Sequence, residues 1–148
     1  MMQAFADAVY RVHGDGDVIS LRIGQPSPAM AALMARHGGL VTGENPFGQE
    51  QTPGQNAAAN DALRAAIDAL GLVRVASDGG SEDGSWNEPG FLVLGGDDAV
   101  LDQLARRFRQ AAWVRIDAEG RSSLAACDYP LAGSGELPCW PPGVIPGP

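Results

Sequence analysis

The sequence predicts an α+β fold in which two amphipathic helices pack on one face of an antiparallel or mixed sheet. Two observations carry that prediction. Apolar residues recur at the helical period in two well-separated stretches, and short alternating or β-branched runs flank each of them. The chain has 148 residues, 45% of them hydrophobic, enough for one core. Residues 1–126 are read as a single domain and 127–148 as an extended or disordered tail rich in proline and glycine.

Val9–Val12 and Val18–Ile23 read as an opening hairpin. They are joined by His13-Gly14-Asp15-Gly16-Asp17, which tolerates positive φ. Pro26-Ser27-Pro28 starts a first helix with Ser27 as its N-cap, Met30, Leu33 and Met34 as its stripe, and Gly38-Gly39 as its stop. Leu40–Gly43 is a short strand delivering the polar loop Glu44-Asn45-Pro46-Phe47-Gly48-Gln49-Glu50. The next helix has the clearest start in the chain: Thr52 and Gln55 have capping-box spacing, and Pro53 stands at the first helical position. Leu63, Ala66, Ile67 and Leu70 follow its apolar face, and Gly71 ends it.

Leu72–Ala76 reads as a strand, Ser77–Asn87 as an acidic, glycine-rich loop, and Phe91–Leu94 as a second strand. Asp97–Ala112 is a helix with acids at its start and arginines at its end, in the sense its dipole favours. Trp113–Asp117 is a strand, and Ser122–Ala126 its hairpin partner after a Glu119-Gly120 turn. Over residues 40–117 the order is strand, helix, strand, strand, helix, strand, which is ferredoxin-like, with the N-terminal hairpin and first helix added beside it.

Acidic residues number 18 against 10 basic ones, a formal charge of −8, and every basic residue is arginine. Lysine Schiff-base chemistry and the P-loop lysine are therefore excluded, and the acidic balance argues against broad nucleic-acid affinity. The chain shows neither a secretory signal nor an apolar run long enough to span a membrane, so cytoplasmic residence is expected, with Cys127 and Cys139 as thiols. No cofactor is expected. His13 and His37 lack zinc spacing, Asp78, Glu82 and Asp83 miss the EF-hand pattern, and Ser27 has no nucleophile context.

Leu21-Arg22-Ile23-Gly24-Gln25-Pro26-Ser27-Pro28, the Asn45-Pro46 loop, Gln55-Asn56, Trp86-Asn87-Glu88-Pro89 and Phe91-Leu92-Val93-Leu94-Gly95 occur in an order that resembles the bacterial domain of unknown function 3293. The resemblance covers most of residues 9–126. It brings no established reaction. Where such proteins commonly carry Gly-Gln-Asn-Ala at the end of the last helix, this chain reads Arg109-Gln110-Ala111-Ala112.

The candidate ligand-binding residues are Asn45, Gln49, Glu50, Asn56, Asn60 and Trp86, amides and a carboxylate gathered near a helix N-terminus, together with an indole. Glu88 is the candidate acid/base, provided it lies within reach of the Asn45 loop; a separation beyond roughly 10 Å would exclude a shared site. Arg106, Arg107, Arg109 and Arg115 form a second candidate, a patch for an anion or an acidic partner, set against the simpler reading of arginines balancing a helix C-terminus. The leading functional expectation is a small binding or regulatory module that engages a protein or small polar ligand through the Asn45-Pro46 region. The alternatives are a cofactor-free enzyme using Glu88 near Asn45 and Asn56, and an inhibitor of a nucleic-acid enzyme.

Overall fold

A computed structural model describes residues 2–34, 37–46 and 49–127. In chain order the elements are α1 (Met2–Asp7), β1 (Val9–His13), β2 (Val18–Arg22), α2 (Pro28–Leu33), β3 (Gly38–Val41), α3 (Pro53–Ala69), β4 (Val73–Gly80), β5 (Asn87–Leu94), α4 (Asp98–Arg107), β6 (Ala112–Ile116) and β7 (Ser122–Ala126). The seven strands form one sheet in the order β2-β1-β4-β5-β3-β6-β7, with every neighbouring pair antiparallel. The fold is thus α+β, and the N-terminal hairpin continues the sheet.

The sheet curls until its two edges touch. Ile23 and Ser122 form a parallel bridge, the Ser122 hydroxyl donates to the Arg22 carbonyl at 2.8 Å, and Gly24 N–H donates to the Ser122 carbonyl at 2.8 Å. Alternation along the strands then builds two cores. One, around Val41, Phe91, Val93 and Trp113, takes Leu63 and Ile67 of α3 and Leu101 and Leu104 of α4. The other holds Val12, Leu21, Leu40, Leu92, Val114 and Ile116 with Met30 of α2.

Local signals placed the helix starts well. Thr52 accepts from Gln55 N–H and the Gln55 side chain accepts from Thr52 N–H, both at 3.1 Å, completing the capping box of α3. Ser27 caps α2 and Asp97 caps α4. Glycine misled in two places. Gly38 and Gly39 do not stop α2, which ends at Leu33; they begin β3, where a Cβ on Gly39 would stand 2.7 Å from the Trp113 ring and 2.4 Å from the Val114 carbonyl. Likewise β4 runs on through Ser77, Asp78, Gly79 and Gly80, so the expected Ser77–Asn87 loop contracts to 81–86. The short helix α1 carried no expectation. The tail from residue 128, with Cys139, lies outside the described residues.

The last helix is also shorter than its apolar period suggests, ending at Arg107. Both long helices close with the same hydrogen-bond pattern. At the end of α3, Gly71 N–H donates to Asp68 and Leu72 N–H to Ile67, with Gly71 at φ +70°. At the end of α4, Arg109 N–H donates to Arg106 and Gln110 N–H to Ala105, with Arg109 at φ +59°. This is the Schellman closure, whose left-handed residue favours glycine. A Cβ in that conformation costs about 1–2 kcal/mol. Arg109→Gly is therefore expected to stabilise the protein by about 1 kcal/mol, and Gly71→Ala to destabilise it by a similar amount, both read from urea midpoints.

Candidate functional site

The polar loop after β3 is organised by one side chain. Asn45 sits at φ +44°, a left-handed conformation that asparagine tolerates. Its N–H donates to Asn56 Oδ1 at 3.0 Å, and its Oδ1 accepts from Asn56 Nδ2 at 2.9 Å and from Gln51 N–H at 3.0 Å. Its Nδ2 donates to Glu88 Oε1 at 3.0 Å. Asn56 and Asn60 lie one turn apart on α3, so both reach the loop. Asn60 Oδ1 accepts from Gly43 N–H at 2.9 Å, while its Nδ2 donates to Glu44 Oε2 and the Pro89 carbonyl, each at 2.9 Å. Thr42 also donates to the Pro89 carbonyl, at 2.6 Å, and Gln110, buried after α4, donates to the Glu44 carbonyl at 3.1 Å.

Across the sheet, the register places Tyr10, Gly79 and Glu88 side by side on β1, β4 and β5. Gly79 makes room for the Tyr10 ring: a Cβ there would stand 2.6 Å from it. The Tyr10 hydroxyl donates to the Phe5 carbonyl at 2.8 Å, tying α1 to the sheet, and Phe5 meets Trp86 edge to face at 6.3 Å. Together these groups line a cavity at one end of the curled sheet, alongside Thr42, Gln110 and Ala112. The cavity has a volume of about 60 Å³ and is open to solvent.

Burial raises the Glu88 carboxyl to about 6; the Asn45 hydrogen bond opposes the shift and the charge of Glu44 adds to it. Glu44 is itself raised by burial, against the Asn60 hydrogen bond. The Tyr10 phenol is pushed well above its ordinary range by burial and then by Glu88. A half-buried carboxyl near 6 can hold or release a proton near neutrality, and its Oε2 takes no hydrogen bond from any described residue.

Among the candidates read from the sequence, Asn45, Asn56, Asn60, Trp86 and Glu88 are brought together, and Glu88 lies well inside the limit that would have separated it from Asn45. Gln49 and Glu50 are exposed and stand apart from the hydrogen-bond network, Gln49 donating only its N–H to the Pro46 carbonyl. In the arginine patch, Arg106 bonds Asp102 at 2.6 Å and Arg115 bonds Asp98 at 3.1 Å, while Arg107 lies over the Phe108 ring. The patch therefore does not offer four uncommitted guanidiniums. Asp78 belongs to β4, where Arg11 and His13 engage it, and Asp83 anchors a tight turn by accepting from Ser85 N–H at 2.9 Å. Sequence reading missed Phe5, Tyr10, Thr42, Glu44 and Gln110. For Gln110 a signal existed in the glutamine shared with the Gly-Gln-Asn-Ala pattern.

The framework of this loop, from Val41 through α3, β4, β5 and α4 to Trp113, coincides with the span of a recognised family model. Residues 41–113 match DUF3293, described as a protein of unknown function. The chain resembles the DUF3293 family. No curated protein and no solved structure gave a significant match. The matched stretch contains Asn45, Asn56, Asn60, Glu88 and Gln110, whereas Phe5 and Tyr10 precede it. Among the described residues no helix is long and apolar enough to cross a membrane, and no group of three or more His, Cys, Asp or Glu could hold a metal ion.

Two outcomes follow for this DUF3293-like site. Asn45→Ala removes the three side-chain hydrogen bonds of Asn45, about 1 kcal/mol each before relaxation, and should cost about 2–3 kcal/mol by urea denaturation while raising the Glu88 pKa further in an NMR titration. Glu88 is more basic folded than unfolded, so its proton favours folding: the contribution is full below the ordinary carboxylate range and is lost as pH rises through about 6. Glu88→Gln should therefore flatten stability between pH 4.5 and 7.5 and stabilise at the upper end by up to about 2 kcal/mol.

Proposed function

We propose that this protein is a small-ligand binding module whose site is the cavity beside the Asn45-Pro46 loop. The observation that carries the reading is the meeting, at the wall of one cavity, of a half-buried carboxylate and the aromatic side chains of Tyr10 and Trp86. Apolar walls with a few placed polar groups are the usual composition of a ligand pocket. The loop supports this reading as scaffold: Asn45 and Asn56 spend their amides holding Glu88 and the chain around it. The same reading treats residues 40–117 as a ferredoxin-like unit extended by the N-terminal hairpin. The sheet order β4-β5-β3-β6, with α3 and α4 packed on one side, supports it.

A second reading, an enzyme with Glu88 as acid/base, is favoured by one observation, the rise of that carboxyl to about 6. Both readings are tested on one protein pair. A small-molecule library followed by thermal shift and amide-resolved NMR should give ligands that perturb Tyr10, Trp86 and Glu88, and Ala112→Leu, which fills the cavity, should abolish those perturbations. Ligands that act equally on the Ala112→Leu protein would refute the cavity as the site. Turnover of any such ligand, lost in Glu88→Gln while binding is retained, would select the enzyme.

A further inference from the structure

We infer that the cavity takes an organic cation, an amine or amidinium carried on an apolar or aromatic body, with its charge against Glu88. The inference rests on the cavity being a ligand site and adds the ligand's class.

The charge around Glu88 is one-sided. From the loop after β3, Glu44 approaches it; from β4, Asp78 lines the same cavity; from β1 comes the uncharged Tyr10 phenol. Among the described residues no arginine or histidine side chain lines the cavity, and the chain has no lysine. Arg11 and His13, the nearest basic residues in sequence to Tyr10, are engaged with Asp78. Neither Glu88 nor Glu44 has a cationic partner among the described residues, and the hydrogen bonds they receive come from neutral amides. A buried carboxylate in that position is short of a counter-charge, and a ligand cation would supply it.

The remaining walls fit the body of such a ligand. Tyr10 is laid across Gly79 beside Glu88, and Phe5 and Trp86 close the same end. Aromatic faces attract ammonium and amidinium groups and cover apolar surface. An anion would meet the Glu88 carboxylate, with the charge of Glu44 behind it, and no basic side chain among the described residues lining the cavity. A neutral ligand of the same shape would desolvate Glu88 and return at most a hydrogen bond, without the counter-charge. Because the cation competes with the proton on Glu88, affinity should fall below pH about 6, approaching tenfold per pH unit.

The test titrates the intact chain with benzylamine and benzamidine, and with benzyl alcohol and benzoate as neutral and anionic counterparts, by amide-resolved NMR at pH 7.5 and pH 5. The cations should shift resonances of Tyr10, Gly79 and Trp86 and bind about tenfold or more tightly than benzyl alcohol, with benzoate weakest. That preference should shrink at pH 5 and disappear in Glu88→Gln. Benzyl alcohol or benzoate binding these residues as tightly as the cations would overturn the ligand class and leave the cavity reading standing, as would cation binding indifferent to Glu88→Gln. If none of the four perturbs the cavity, both fail. Should Glu88→Gln not fold, the pH comparison on the unaltered chain, with Ala112→Leu as the occluded control, decides the same question.

Discussion

The carboxamide of Asn45 is the point from which the site is built. A loop leaving the centre of a sheet must satisfy its backbone groups without a ladder partner, and Asn45 does so in three directions, toward α3, toward its own loop and toward β5. The left-handed turn at this residue makes that reach possible, since it aims backbone N–H and side chain at the same helix. Because Asn56 answers both groups, the first turn of α3 and the loop become one rigid body. Glu88 is attached to that body through a single hydrogen bond and otherwise lies against the cavity. Rigidity on one side and an unmet carboxylate oxygen on the other is the arrangement that binding a small molecule requires.

Position-specific electrostatics follow from the same arrangement. Burial lifts the Glu88 carboxyl, Asn45 holds it down and Glu44 lifts it further, and the balance falls at about 6. Replacing an amide donor with an arginine in this position would have fixed a permanent carboxylate. The neutral donor leaves the charge state open to whatever enters the cavity.

How much of this the sequence displayed depends on the range of each interaction. The capping box of α3, the Ser27 and Asp97 caps and the Gly71 stop involve residues within six positions of one another, and each was legible. The gathering of Asn45, Asn56 and Asn60 was legible too, because a loop leading into a capped helix must pass its N-terminal turns. Tyr10 was not. Its place beside Glu88 comes from strand register across β4, a relation between residues 78 positions apart with no local trace. The same long-range packing explains the misread glycines: Gly39 and Gly79 look like turn residues, yet one accommodates the Trp113 ring and the other the Tyr10 ring. Arg109 reverses that error, an arginine where the backbone asks for glycine, and only the paired closures of α3 and α4 expose it.

The seam at which Ile23 meets Ser122 gives the molecule a division of labour. It fastens the hairpin to the far edge of the sheet; Phe5 and Tyr10 reach the cavity from outside the matched stretch, while Trp86, Trp113, the acid and its amide are contributed from within it. Substitutions at Tyr10 can therefore change the shape of the cavity without altering its acid, Glu88. Under the proposed reading, such a scaffold could vary its ligand while keeping one proton-sensitive anchor.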